Sequence, residues 1–158
     1  VSKPRVYLET SVLSYLTSRP SRDIVIAANQ QVTREWWNNR RHLYDIFISQ
    51  FVLDEAAAGD PTAARERLKS IEHLQQVELI PEAARLATAI LSSGRFPASA
   101  ASDAVHIALA AAHRMDFLLT CNCSHIANAM NARFIEALCR RNELESPIIC
   151  TPHELMEG

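Results

Sequence analysis

Ser102-Asp103-Ala104-Val105-His106-Ile107-Ala108-Leu109-Ala110 leads to Phe117-Leu118-Leu119-Thr120 and then to Cys121-Asn122. The first segment places a serine and an acid ahead of an apolar run. That pattern predicts a helix from Asp103 to about Arg114, capped by Ser102. The second segment is short and apolar, which predicts a buried strand. A helix feeding a short buried strand is the repeating unit of an α/β fold, and the same alternation recurs outward from here. Upstream, Val77-Glu78-Leu79-Ile80 is a predicted strand. Pro81 then opens a helix whose Ala83, Leu86, Ala87, Ile90 and Leu91 share one apolar face. Further back, Asp45-Ile46-Phe47-Ile48-Ser49 is a predicted strand. A helix through Glu55 to the stop signal Gly59-Asp60-Pro61 follows it, and another covers Thr62 to Glu72. At the start, Val6-Tyr7-Leu8 is a predicted strand, Ser11 to Leu16 a turn or two of helix, and Ser21 the cap of a helix from Arg22 to about Asn38. Downstream come a helix from about Asn131 to Arg141, the strand Pro147-Ile148-Ile149-Cys150 and a capping box at Thr151-Pro152-His153-Glu154. Short buried strands alternating with amphipathic helices mean an α/β fold with a mostly parallel sheet.

The chain has 158 residues. This is the length of about one domain, and 1–158 is read as a single unit. Only Gly59, Gly94 and Gly158 are present, so neither a glycine-rich phosphate loop nor a dinucleotide fingerprint can be written. The net charge of −2 lacks the basic bulk of a passive nucleic-acid binder. Any contact with nucleic acid must then use a local patch or a metal. No run approaches the ~18 unbroken apolar residues of a membrane span, and Glu9 ends the first apolar run too early for a secretory signal. Cys121, Cys123, Cys139 and Cys150 are expected as free, buried thiols in a cytoplasmic protein.

Parallel sheets bind ligands beyond the carboxyl ends of their strands. Glu9 follows the first strand there, Asn122 follows the Phe117–Thr120 strand, Glu55 lies on the helix after Ser49, and Asp103 opens a helix leading into a strand. All four offer oxygen, which suits hard divalent ions such as Mg²⁺ and Mn²⁺. Three carboxylates brought close repel one another, and a divalent cation is their natural counterweight. Such a cation can activate water toward a phosphodiester, a route by which an acidic protein attacks an acidic polymer. Each residue also has a plainer reading. An acid just past a strand is often a solvated turn residue. Asp54 competes with Glu55, and the helical face does not decide between them. Asp103 suits the positive end of its helix, and Asn122 suits a turn.

Together these segments resemble the PIN-domain proteins, specifically the VapC-like ribonuclease toxins of bacterial toxin–antitoxin pairs. Val6-Tyr7-Leu8-Glu9-Thr10-Ser11-Val12 looks like the family's opening strand, acid and hydroxyl pair. Ile48-Ser49-Gln50 with Glu55 looks like its second block, and Ser102 to Ala110 its third. Phe117 to Asn122 with His125-Ile126-Ala127-Asn128 looks like its fourth. The resemblance implies a Rossmann-like α/β/α sandwich around a parallel sheet of four to five strands. It implies a metal-dependent endoribonuclease, the toxin component of its pair, hydrolysing RNA with a metal-activated water. Glu9, Glu55 and Asp103 would hold Mg²⁺ or Mn²⁺, with Asn122 assisting and Thr10, Ser11 and Thr120 supporting. The implied partners are RNA, a cognate antitoxin and a second copy in a homodimer. The alternative is a catalytically weakened module that binds RNA or protein without turnover.

Two positions depart from the family pattern. Glu9 stands where most members carry Asp, and Asn122 stands where many carry a fourth acid. An amide brings oxygen but no charge, so one ion, or one with a weak second, is expected, with Mn²⁺ at least as effective as Mg²⁺. Cys121, Cys123 and His125 would share a face of an extended chain, but no second cysteine pair exists to complete a zinc site. His106 is expected to be packed or hydrogen-bonded, and His125 to sit at the mouth of the site as a contact for RNA. Trp36 and Trp37, followed by Arg40 and Arg41, are read as a partner contact rather than an RNA platform, with one tryptophan partly exposed.

Overall fold

The computed structural model describes residues 2–157. Five strands are defined among them: β1 (Arg5–Leu8), β2 (Asp45–Ser49), β3 (Gln75–Val77), β4 (Phe117–Leu119) and β5 (Ile148–Cys150). The helices are α1 (Thr10–Thr17), α2 (Ile24–Asn39), α3 (Gln50–Ala56), α4 (Pro61–Ile71), α5 (Pro81–Ser92), α6 (Ala101–Ala112) and α7 (Ala129–Arg141). The sheet is wholly parallel, in the order β3-β2-β1-β4-β5. Tyr7 pairs with Phe47 on one side and with Leu118 on the other, so β1 is the central strand.

This order determines where the helices lie. The chain steps from β1 to β2 to β3 in one direction, then returns across β1 to place β4 and β5. Right-handed crossovers therefore send α1 to α4 to one face and α5 to α7 to the other. The packing agrees: α1 contacts α2, α3 and α4, while α5 contacts α6 and α7. Both faces of the central strands are covered, and Val6, Tyr7, Leu8, Leu118 and Leu119 are fully buried. The crevice between β1 and β4, where the strand order reverses, is the switch point at which such sheets bind ligands.

The structure moves several expected boundaries. Asp23, not Ser21, caps α2, its Oδ1 accepting from Val25 N–H and Ile26 N–H. A side chain accepting from the two N–H groups ahead of it fixes the helix start two residues later. Helix α6 begins at Ala101, continued from the tight turn Ala98–Ala100, so Ser102 lies inside it rather than capping it. Strand β3 covers Gln75–Val77, and Glu78-Leu79-Ile80 runs past the sheet instead of pairing. Its partner β2 ends at Ser49, which leaves nothing to pair with those residues. The capping box holds: Glu154 Oε1 accepts from Thr151 N–H at 3.0 Å.

Trp36 and Trp37 are both buried, against the expectation that one is partly exposed. Consecutive residues of a helix point ~100° apart, so two covered sides are needed. Trp36 lies 5.8 Å from the Tyr44 ring, which meets Phe117 edge-on at the sheet. Trp37 lines a hollow together with Leu16 and Thr17 of α1 and Glu66, Lys69 and Ser70 of α4. The Arg41 guanidinium stacks over Trp37 at 4.8 Å and donates to its carbonyl. These two indoles are core residues, and the Arg41 guanidinium covers one face of Trp37. Among the described residues, no helix is long and apolar enough to cross a membrane.

Candidate active site

The carboxyl ends of β1 and β4 deliver a set of hydroxyls to two acids. Glu9 is the first residue past β1 and caps α1, with its Oε2 accepting from Ser11 N–H at 2.9 Å. Its Oε1 accepts from the Ser11 hydroxyl and from the Thr120 hydroxyl, the latter at 2.5 Å. Thr120 is the residue after β4, so the pairing of β1 with β4 is what brings it to Glu9. Ser11 Oγ in turn accepts from Cys121 N–H at 2.8 Å, and Thr120 Oγ1 accepts from Asn122 N–H at 2.9 Å. A carboxylate left unpaired in so buried a place is costly, and these donors offset that cost. Glu9 is only 5% exposed. Of about four lone-pair positions on a carboxylate, three are used here, and one on Oε2 remains for a ligand.

Glu55 comes to the same place from α3. Its Oε1 accepts from the Thr10 hydroxyl at 2.7 Å and meets His106 Nε2 at 2.5 Å. Burial alone would raise this carboxyl. The hydrogen bond and charge of His106, with the hydroxyls of Thr10 and Ser102, outweigh it and hold Glu55 below the ordinary glutamate range. Ser102, displaced from its expected capping role, thus serves the acid instead. Asp54 is drawn outward and accepts from Gln50 at 2.8 Å, so Glu55 is the inward-facing acid of the pair.

Ligand atoms of Glu9, Glu55 and His106 lie within 4.8 Å of one another, and among the described residues this is the group so arranged. Asp103 is outside that trio. Its Oδ2 pairs with His125 Nδ1 at 3.0 Å. Asp103 sits three residues before His106 on α6, hence on the same helical face and bordering the trio. Asn122 does not present its oxygen to the acids. Its Oδ1 accepts from Ser124 N–H and His125 N–H, closing a turn in the loop between β4 and α7. That turn is what delivers His125 to Asp103.

The supporting hydroxyls expected at Thr10, Ser11 and Thr120 all contact the acids. His106 is buried and hydrogen-bonded, as expected, and it also stands beside the two acids. Its spacing of three from Asp103 on one helix is the signal for that place, since it puts both on one side. Arg40 and Arg41 lie at the far end of α2, where Arg41 is tied to Trp37. Cys121 is half-buried and its thiol is pushed up to about 12 by burial, as is that of Cys150. Cys123 is exposed rather than buried, because the Asn122 turn lifts it off the core. No cysteine joins a metal-binding group among the described residues. A hollow of about 830 Å³ opens at the amino-terminal edge of the sheet, lined by Lys3, Arg114, Asp116 and Glu143 among others. It lies at the opposite end from the acids and carries mixed charge.

The family model described as PIN domain matches residues 6–127, which span β1 through the loop after β4 and so every acid of the site. Among solved structures, the chain is similar to one in the crystal structure of VapBC2 from Rickettsia felis bound to a DNA fragment from their promoter. The TM-score is 0.53 at 15% identity, covering 93% of this chain and 98% of the other. At that identity the likeness speaks for the fold. No curated protein matches the sequence. The family match covers well over half the chain and coincides with the hydroxyl-lined acids at the sheet's switch point. This chain belongs to the PIN-domain family.

Proposed function

We propose that this protein is a divalent-metal-dependent endoribonuclease, the toxin half of a toxin–antitoxin pair. The observation that carries the reading is the convergence of Glu9 and Glu55 beside His106 at the switch point of a PIN fold. PIN domains are generally nucleases, and this site has what such a reaction needs from a protein. The donor set fits a hard divalent ion: two carboxylates within reach of one another, a third acid one helical turn away, and an unused lone pair on Glu9. Among the described residues, the ion pairs of Glu55 and Asp103 are with histidines and not with a lysine or arginine.

In this reading Glu9, Glu55 and Asp103 hold Mg²⁺ or Mn²⁺. The bound ion supplies positive charge against the phosphodiester and activates water. Everything else is done by side chains. Ser11 and Thr120 fix the Glu9 carboxylate from two sides, and Thr10 fixes Glu55. Asn122 assists from the loop by shaping the turn that brings His125 to the rim, where its half-exposed ring can meet RNA. The similar Rickettsia felis chain comes from a VapBC2 complex, and a cognate antitoxin is the partner proposed for this protein. A homodimer and a cytoplasmic setting complete the proposal.

The test is incubation of purified protein with mixed single-stranded RNA in Mn²⁺, in Mg²⁺ and in chelator, beside Asp103→Asn. Metal-dependent cleavage that disappears in Asp103→Asn supports the reading. Cleavage that persists in the mutant places the activity elsewhere. Measurable Mn²⁺ binding with no cleavage replaces the enzyme with a binding module.

A further inference from the structure

Behind the acids runs a buried chain of polar groups that the nuclease reading does not itself require. Ser49 Oγ lies 2.7 Å from the Tyr7 hydroxyl, and the Tyr7 hydroxyl lies 2.7 Å from His106 Nδ1. His106 Nε2 lies 2.5 Å from Glu55 Oε1. Tyr7, Ser49 and His106 are at most 1% exposed. The line crosses the sheet: Tyr7 is on β1, Ser49 ends β2, His106 is on α6 and Glu55 on α3. A tyrosine in the middle of the central strand is an expensive way to fill a core, unless its hydroxyl is used.

Hydrogen-bond chemistry leaves one assignment. Glu55 Oε1 already accepts from the Thr10 hydroxyl, and a carboxylate oxygen accepts, so Nε2 carries the proton between it and His106. Nδ1 then has two states. In neutral imidazole it is the acceptor, taking the Tyr7 proton while Ser49 donates to Tyr7. In imidazolium it donates to Tyr7, which then donates to Ser49. The neutral state gives every proton of the line an acceptor within it, whereas the imidazolium state leaves the Ser49 hydroxyl proton without one in the line. In both, Nε2 is an N–H donor with no lone pair for a metal. The distance that puts His106 among possible ligands is therefore the distance of a hydrogen bond to a ligand.

We infer that His106 is a positioning residue and not a metal ligand: Tyr7 and Ser49 lock its ring so that Nε2–H aims the Glu55 carboxylate at the cation. This inference rests on the nuclease reading for its purpose, but the ring's protonation and its lock exist without any metal. It also narrows the donor set to oxygen, which selects Mg²⁺ or Mn²⁺ over softer ions that favour imidazole. Partners of this kind typically change metal affinity ~10–100-fold when removed.

The experiment is long-range ¹H–¹⁵N correlation on histidine-labelled wild type, first metal-free and then with saturating Mg²⁺. His106 is expected to show a protonated, pyrrole-type Nε2 in both. A pyridine-type Nε2 in the metal-free protein, or loss of the Nε2 proton when Mg²⁺ is added, overturns the inference. In parallel, Mn²⁺ binding is titrated into Tyr7→Phe and His106→Gln, with thermal melts to verify folding. Tyr7→Phe is expected to weaken Mn²⁺ about tenfold, while His106→Gln, whose amide can still donate to Glu55, retains affinity within about threefold. A folded Tyr7→Phe with wild-type affinity overturns the lock. If wild type binds no divalent ion, the nuclease reading fails. The metal-free spectrum then still decides the protonation of His106.

Discussion

Glu9 and Asp103 are carboxylates at the same edge of one sheet, yet they are held in opposite ways. Glu9 is fixed by a backbone N–H and two hydroxyls, all from residues adjoining the central strands β1 and β4. Asp103 is met by one histidine from a loop, and that loop is shaped by the amide of Asn122. The Asp103 side chain is 14% exposed and its partner's is 35%. The sheet side of the site is built before any ligand arrives, because its donors are fixed by strand pairing. The loop side depends on a surface pair and can adjust. Sites on strands and helices are more exact than sites on loops. A polymeric substrate needs both, a fixed reacting centre and a rim that yields.

The largest expected break in this comparison is Glu9→Gln. It keeps the shape but places an amide where two hydroxyls donate, and removes a charge from the candidate metal site. RNA cleavage in Mn²⁺ is expected to fall ~10²- to 10³-fold, equivalent to several kcal/mol of lost charge stabilisation. Initial rates on a labelled RNA measure this. A loss smaller than about tenfold would move the reacting centre away from Glu9.

Next in size is Thr120→Val, which tests whether the sheet side is built in. The threonine is fully buried and donates to Glu9 while accepting from Asn122 N–H. Removing a buried hydrogen bond to a charged group costs ~1.5–3 kcal/mol, measurable by urea unfolding in chelator. If stability is unchanged, Glu9 is not held by its fold and the contrast with Asp103 collapses.

Much of this was legible in the chain and some was not, for identifiable reasons. The alternation around Phe117–Thr120 is set by burial on both faces of a parallel sheet, and burial is written in residue type. The hydroxyls at Thr10, Ser11 and Thr120 stand beside the acids in sequence or at strand ends, so their role follows from the topology. Glu55 over Asp54 was not decided by pattern, because the inward helix face is fixed by α1 and α6, which are distant in sequence. Sequence leaves Asn122 open between an assisting amide and a turn former, because the two carry the same letter at the same place, and its oxygen closes a turn. His106 is hydrogen-bonded as expected, but its partners, Tyr7 and Glu55, are 99 and 51 residues away and cannot be named from its own helix. The two tryptophans were misread because a helix covered on two sides cannot be told from one covered on a single side by its own residues.

A smaller effect is expected on the loop side. His125→Ala removes the partner of Asp103 but leaves an acid with access to water. Partly exposed pairs are worth below about 1 kcal/mol, so the unfolding midpoint should barely move. Cleavage should still fall about tenfold, since the mutation frees Asp103 and removes a ring from the rim. If stability falls as far as in Thr120→Val, the loop is as rigid as the sheet edge.

The smallest effect lies in acid, where Glu55 separates the two sides. Its carboxyl is held below the ordinary glutamate value of 4.5, with the bonds and charge from His106, Thr10 and Ser102 outweighing the opposing effect of burial. A depressed native value means the unfolded chain binds the proton first. The stabilisation is therefore fully present above the unfolded value, and is lost as pH falls through the depressed native one. The side chain is 36% exposed, so solvent screening keeps the contribution small. Comparing urea midpoints of wild type and Glu55→Gln in chelator checks this. Any stability advantage of wild type at neutral pH should hold steady down to about pH 5 and shrink below about pH 4.5. An advantage that persisted unchanged to pH 3 would mean that it comes from the shape of the glutamate side chain and not from its charge. In that case the sheet side would be organised by shape, and charge would enter only with the metal.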